Sequence, residues 1–148
     1  MDSPLVNPAL HDLEPLVGEW TIEIDGPDEA MSPVFGTATI DWIEGGAFLG
    51  INSNVVWQGP SNSTSVIGRD GDEDLYTVLY YDDRGVSRIY HMTLNDSVWH
   101  QWRTSPDFSQ RFIGTIGLTG DVITARWEAS SDGKTWDLDF ELTYRRAD

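Results

Sequence analysis

The chain has 148 residues, a formal net charge of −16 and no cysteine. Its length suits one domain, and 39% hydrophobic residues with seven Trp supply a core, which excludes general disorder. The charge argues against nucleic acid or anionic lipid as partner, and the cysteine count excludes disulfides, thiolate metal sites and a Cys nucleophile.

Residues 1–6 read as a flexible tail, leaving 7–148 for one folded domain. Asn7 followed by Pro8 reads as a helix cap with proline at the first helical position. Leu10, Leu13, Leu16 and Val17 recur at near-helical spacing, and Pro15 interrupts them. A short helix ending at Gly18 is predicted. From there the period changes to two. Alternating segments run Glu19–Asp25, Phe35–Trp42, Ala47–Val56, Thr64–Arg69, Leu75–Asp82, Val86–Leu94, Val98–Thr104, Gln110–Gly117, Val122–Ala129 and Trp136–Arg145. Turn chemistry punctuates them: Glu44-Gly45-Gly46, Asp82-Asp83-Arg84-Gly85, Asn95-Asp96 and Ser131-Asp132-Gly133. About ten strands joined by short hairpins form an all-β, antiparallel up-and-down meander, and closure into a barrel removes its two edges.

The last segment has the plainest phase. Trp136, Leu138, Phe140, Leu142 and Tyr144 alternate with polar residues and are expected to face inward. Ala38, Ile40 and Trp42 share one face, as do Ile123, Ala125 and Trp127. The middle strands are mixed. If Tyr80, Arg88, Tyr90, Trp99, Gln101 and Arg103 point inward, the lumen holds guanidinium groups beside aromatic rings, and a buried arginine requires a carboxylate or an anionic ligand. A barrel of about ten strands also leaves room for a cavity.

Gly18-Glu19-Trp20 follows the short helix and opens the first strand. It resembles the Gly-x-Trp motif of lipocalin-like (calycin) barrels, where the tryptophan closes the barrel floor and an arginine near the end of the last strand packs across it. Arg145 or Arg146 stands in that place, and Arg145 is taken for the role. The stretches Tyr81–Gly85, Tyr90–Met92, Val98-Trp99, Trp102-Arg103 and Phe108–Phe112 also resemble a small bacterial group of such barrels of unknown function. The resemblance covers the chain from about Asn7 onward and implies a ten-stranded barrel with an internal cavity. Nitrobindin, a haem barrel, is similar in its N-terminal helix and Gly-x-Trp start, and its haem histidine lies towards the C-terminal end. His11, His91 and His100 are all elsewhere, so no cofactor is expected.

The candidate ligand-binding set is Arg88, Tyr90, Trp99, Gln101, Arg103, Gln110, Tyr80 and Trp42. Arginine offers paired donors to a carboxylate or enolate while rings stack on the rest of the molecule. The alternative is an internal salt bridge, for example with Asp41, or arginines on the outer wall. His91 and His100 lie on adjacent strands and could meet as a base pair or half a metal site; two surface histidines are expected instead, with no metal. Asp70–Asp74 is an acidic run read as a solvated hairpin tip rather than a calcium loop.

The expected function is binding of a small hydrophobic or aromatic, possibly anionic, molecule by a monomer or homodimer. One alternative is an enzyme that orients a substrate for cyclisation or isomerisation, with Tyr90 or Arg88 polarising a carbonyl. Another is a structural barrel with a filled core and an outer contact through Trp102. No apolar run approaches the roughly 20 residues of a membrane span, and the chain opens on no basic and apolar leader, so a cytoplasmic protein is expected.

Overall fold

The fold is taken from a computed structural model, which describes residues 6–25, 33–56, 60–71 and 74–147. Of the expected tail, residues 1–5 lie outside the described residues. The N-terminal helix is a 3₁₀ helix, Pro8–Leu16, rather than an α-helix. Its leucines show why. Leu10, Leu13 and Leu16 are three apart, so at three residues per turn they stack on one side, and all three are fully buried. Asn7 caps it by accepting from the Ala9 backbone N–H at 3.1 Å.

Ten strands follow: β1 (Gly18–Asp25), β2 (Val34–Ile43), β3 (Phe48–Val55), β4 (Asn62–Arg69), β5 (Tyr76–Asp82), β6 (Ser87–Asn95), β7 (Val98–Arg103), β8 (Ser109–Ile116), β9 (Val122–Ser130) and β10 (Asp137–Arg146). Each pairs antiparallel with its sequence neighbours, and β1 also pairs with β10, closing the barrel. This is the all-β, up-and-down antiparallel barrel expected from the alternation, and it has the lipocalin-like form that the Gly-x-Trp resemblance implied. Closure leaves no strand edge unpaired.

The strands run alternately up and down between two ends. One end, the floor, is plugged by the 3₁₀ helix. Trp20, Ile40, Leu49, Ile67, Val78, Met92 and Ile123 pack there with almost no exposure. The other end is the mouth, where the β5–β6, β7–β8 and β9–β10 connections lie.

The phase of the middle strands follows the mixed pattern. Tyr76, Val78, Tyr90, Met92, Trp99 and Gln101 are buried, whereas Leu79, Ile89 and His91 are exposed. β10 departs from its own alternation. Leu138 pairs with Glu128 and Phe140 with Trp127, so Asp139 is the extra residue of a bulge. Phe140, Leu142 and Tyr144 keep the inward phase, but Leu138 is exposed and Trp136 lies under the Arg111 guanidinium at 4.2 Å. The bulge reverses the phase beyond it, which corrects the inward placement of Trp136 and Leu138.

The arginine at the barrel floor is Arg146, not Arg145. Tyr144 points inward, so Arg146 shares its face and Arg145 points outward, where it pairs with Glu23 at 3.2 Å. The Arg146 guanidinium lies over the Trp20 ring at 4.2 Å and donates to the carbonyls of Val17, Pro15 and Gly120. Gly18 has φ +146°, and a methyl group there would run into that guanidinium. Trp20 completes the floor by donating its indole N–H to the Leu16 carbonyl at 3.0 Å.

Candidate functional site

Above the packed floor the barrel encloses a hollow of about 570 Å³. Strands five places apart in a ring of ten stand opposite one another. β8 and β9 contribute Gln110, Phe112 and Trp127 to one side, and β3 and β4 contribute Ser53, Ser63 and Ser65 to the other. The three serine hydroxyls make no hydrogen bond to a described residue. Ile22, Ile24, Ile51 and Leu142 make the remaining surface mostly apolar. Large rings meet along four adjacent strands, β6 to β9: Phe112 and Trp127 at 5.2 Å, Tyr90 and Trp127 at 5.5 Å, Trp99 and Phe112 at 4.7 Å.

Two arginines line the mouth, and they differ in their partners. The β5–β6 hairpin folds Arg84 back onto Asp82, whose side chain is completely buried. That carboxylate accepts from the Arg84 side chain at 2.8 and 3.2 Å, from the Arg84 backbone N–H at 3.0 Å and from the Tyr80 hydroxyl at 2.6 Å. The Arg84 guanidinium holds the Asp82 carboxyl well below the usual range, against the opposing effect of burial. Tyr80 is pushed up by burial and by the same carboxylate.

Arg88 has no such partner. Six of the eight arginines form ion pairs with described carboxylates, and Arg88 and Arg103 do not. Arg88 lies over the Phe108 ring at 5.5 Å. Asp139, exposed at the mouth where the β10 bulge brings it, has its carboxyl pushed up by partial desolvation and held back by the charge of Arg88. Burial raises the Tyr90 phenol too, against the charge of Arg88, a hydrogen bond from that guanidinium, and the charges of Arg103 and Arg84, so Arg88 meets a neutral hydroxyl rather than a carboxylate. A cationic group thus faces the upper hollow with its charge only partly answered.

Deeper polar groups pair within the wall. The Tyr90 hydroxyl donates to Gln110 Oε1 at 2.9 Å, and the Trp99 indole donates to Gln101 Oε1 at 3.2 Å. Such bonds fix the direction of each side chain and leave the glutamine NH₂ groups as donors.

Of the eight candidate residues, Arg88, Tyr90, Trp99, Gln101, Gln110 and Tyr80 line this hollow. Arg103 lies instead in a more open depression beside the mouth, with Arg88, Leu79, Ile89 and His91. The β6–β7 ladder ends at the His91–Trp102 pair, and Arg103 stands beyond it. Trp42 is at the floor, because β2 descends from the mouth; its indole N–H donates to Glu14 of the helix at 3.2 Å. Asp41 is exposed and accepts from the Trp42 backbone N–H at 2.8 Å, so it answers neither arginine. His100 and Trp102 stack at 4.6 Å, with His91 5.8 Å from Trp102, all outside the hollow. Among the described residues no group of three or more His, Cys, Asp or Glu could hold a metal ion. Asp74 pairs with Arg69, and Asp72 and Glu73 of the acidic run lie outside the described residues.

The sequence reasoning missed Asp139, Arg84, Tyr144 and the three serines. Arg84 reads as a turn residue and Asp139 as an outward one, and only the bulge and the folded hairpin turn them to the mouth. The serines carried a signal, since Ser63 and Ser65 alternate in phase with the inward Ile67.

Among the described residues no helix is long and apolar enough to cross a membrane. No family model matches the chain, and no curated protein matches it. Solved structures do. The crystal structure of Rv2717c from M. tuberculosis superposes with a TM-score of 0.64 at 15% identity, covering 97% of this chain and 100% of that one. The S-type phycobiliprotein lyase CPES from Guillardia theta superposes with a TM-score of 0.59 at 12% identity, covering 93% and 92%. At these identities the likeness is one of fold.

Proposed function

We propose that the barrel binds a small, mostly apolar molecule with one anionic group, the anion at Arg88 and the apolar body among Tyr90, Phe112 and Trp127. The observation that carries this reading is Arg88: a guanidinium on the wall of an aromatic-lined hollow, with no described carboxylate in ion-pair contact. A charge held there gains from a ligand carboxylate or sulfonate, whose paired oxygens match the guanidinium fork. Arg84 does not compete for the role, because Asp82 already neutralises it.

Calorimetric titration of 2-naphthoate against its neutral amide, 2-naphthamide, tests the proposal. Arg88→Gln is expected to weaken the acid about tenfold, the ~1.5 kcal/mol of a charge-assisted hydrogen bond, and the amide by less than about twofold. Equal losses for the two sink the anion site. Failure of both to bind the unaltered protein sinks the ligand-binding reading itself.

A further inference from the structure

The deep end of the hollow contains polar groups that its own walls leave without partners. Tyr144 is 8% exposed and Gln101 6% exposed, and both line the hollow. The Tyr144 hydroxyl makes no hydrogen bond to a described residue, yet it is not among atoms sealed from the surface without a partner. It therefore opens onto the hollow. The Gln101 side chain is turned by the Trp99 indole, which occupies its Oε1 and leaves the NH₂ free of described partners. Trp99 joins the two, since its ring lies 6.1 Å from that of Tyr144.

A buried hydroxyl without a partner costs free energy that a hydrogen bond recovers, and buried polar groups are nearly always bonded. Tyr144 is held by rings that offer it nothing polar: Trp20 meets it edge-on at 6.4 Å. Its hydroxyl serves no structural bond within the described chain, so its partner belongs to what the hollow holds.

We infer that Tyr144 and Gln101 form a second polar subsite, which reads a hydroxyl or carbonyl oxygen at the end of the ligand remote from its anionic group. This rests on the binding reading above and narrows it: the ligand is polar at both ends and apolar or aromatic between them. Tyr144 can donate to or accept from such an oxygen, and the Gln101 NH₂ can donate to it.

Two probe pairs test it by calorimetry: 2-naphthoate with 6-hydroxy-2-naphthoate, and biphenyl-4-carboxylate with 4′-hydroxybiphenyl-4-carboxylate, which span different lengths. At least one hydroxy acid is expected to bind about fivefold tighter than its parent, the worth of one neutral hydrogen bond. Tyr144→Phe is expected to abolish that advantage, leave the parent acid within about twofold, and not lower the melting temperature, because it removes no bond within the protein. Gln101→Leu supplies a second variant that should shrink the same advantage. Parents that bind with no preference for the hydroxyl, or a preference that survives both substitutions, overturn the subsite alone. Parents that fail to bind overturn the anion site and the subsite together.

Discussion

Trp20 shows how one side chain can close an end of a barrel. It is 1% exposed, bonded to the Leu16 carbonyl, met edge-on by Tyr144 and covered by the Arg146 guanidinium. Gly18 leaves the space that this guanidinium fills, so the glycine and the tryptophan two residues later belong to one device. Trp20→Ala removes a fully buried ring and leaves a cavity at the floor between Tyr144 and Arg146. A loss of about 3–5 kcal/mol is expected in chemical denaturation; a loss under about 1 kcal/mol would remove Trp20 from the floor of the core.

At the scale of elements, the β5–β6 hairpin is tied by charge. Asp82 ends β5, Arg84 sits in the turn, and the completely buried carboxylate bonds back to it and to Tyr80. The Asp82 carboxyl is depressed in the folded protein, from an ordinary value of about 3.9 when unfolded. Its contribution to stability is therefore complete above about pH 5 and fades as the pH falls through 4 and below. Asp82→Asn is expected to lower stability at neutral pH and to flatten the acid limb of a stability profile. A limb with the wild-type slope would show that other carboxylates govern acid unfolding. β10 illustrates the opposite situation, in which a local device overrides a pattern. Its alternation from Trp136 to Tyr144 is unbroken in sequence, but one bulge at Asp139 turns the first part outward. A bulge without glycine leaves no mark in a hydrophobic pattern, so the pattern alone extends the inward face too far.

The whole molecule carries −16, yet an arginine without an ion pair to any described carboxylate faces the upper hollow. Barrel closure makes this possible, by bringing β10 across the mouth from β5 and its neighbour β6. Asp139 thereby meets the field of Arg88 and competes with an anionic ligand for it. Asp139→Asn is expected to tighten binding of naphthalene-2-sulfonate several-fold at pH 7. In the unaltered protein the same ligand, which stays ionised, should bind more tightly as the pH falls from about 6 to 4, because the Asp139 carboxyl titrates above the ordinary 3.9. A flat profile, or weaker binding by Asp139→Asn, would show that this carboxylate does not oppose the anion.

The sequence by itself determined the strand count, the hairpin order, the floor motif and the inward phase of most strands. Alternation and turn chemistry act between near neighbours and need no partner strand to be read. It also brought forward six residues that line one hollow, because an arginine in phase with aromatic residues is conspicuous anywhere. Only the tertiary structure decided depth, pairing and the exceptions to phase. Trp42 and Tyr80 both lie in phase with inward residues of their own strands, but one lies at the floor and the other near the mouth, and that difference is set by the direction in which each strand runs. Arg145 and Arg146 are adjacent, and the phase at Tyr144 sends one to Glu23 and the other over Trp20. Which carboxylate answers which arginine depends on strands that meet only once the barrel has closed.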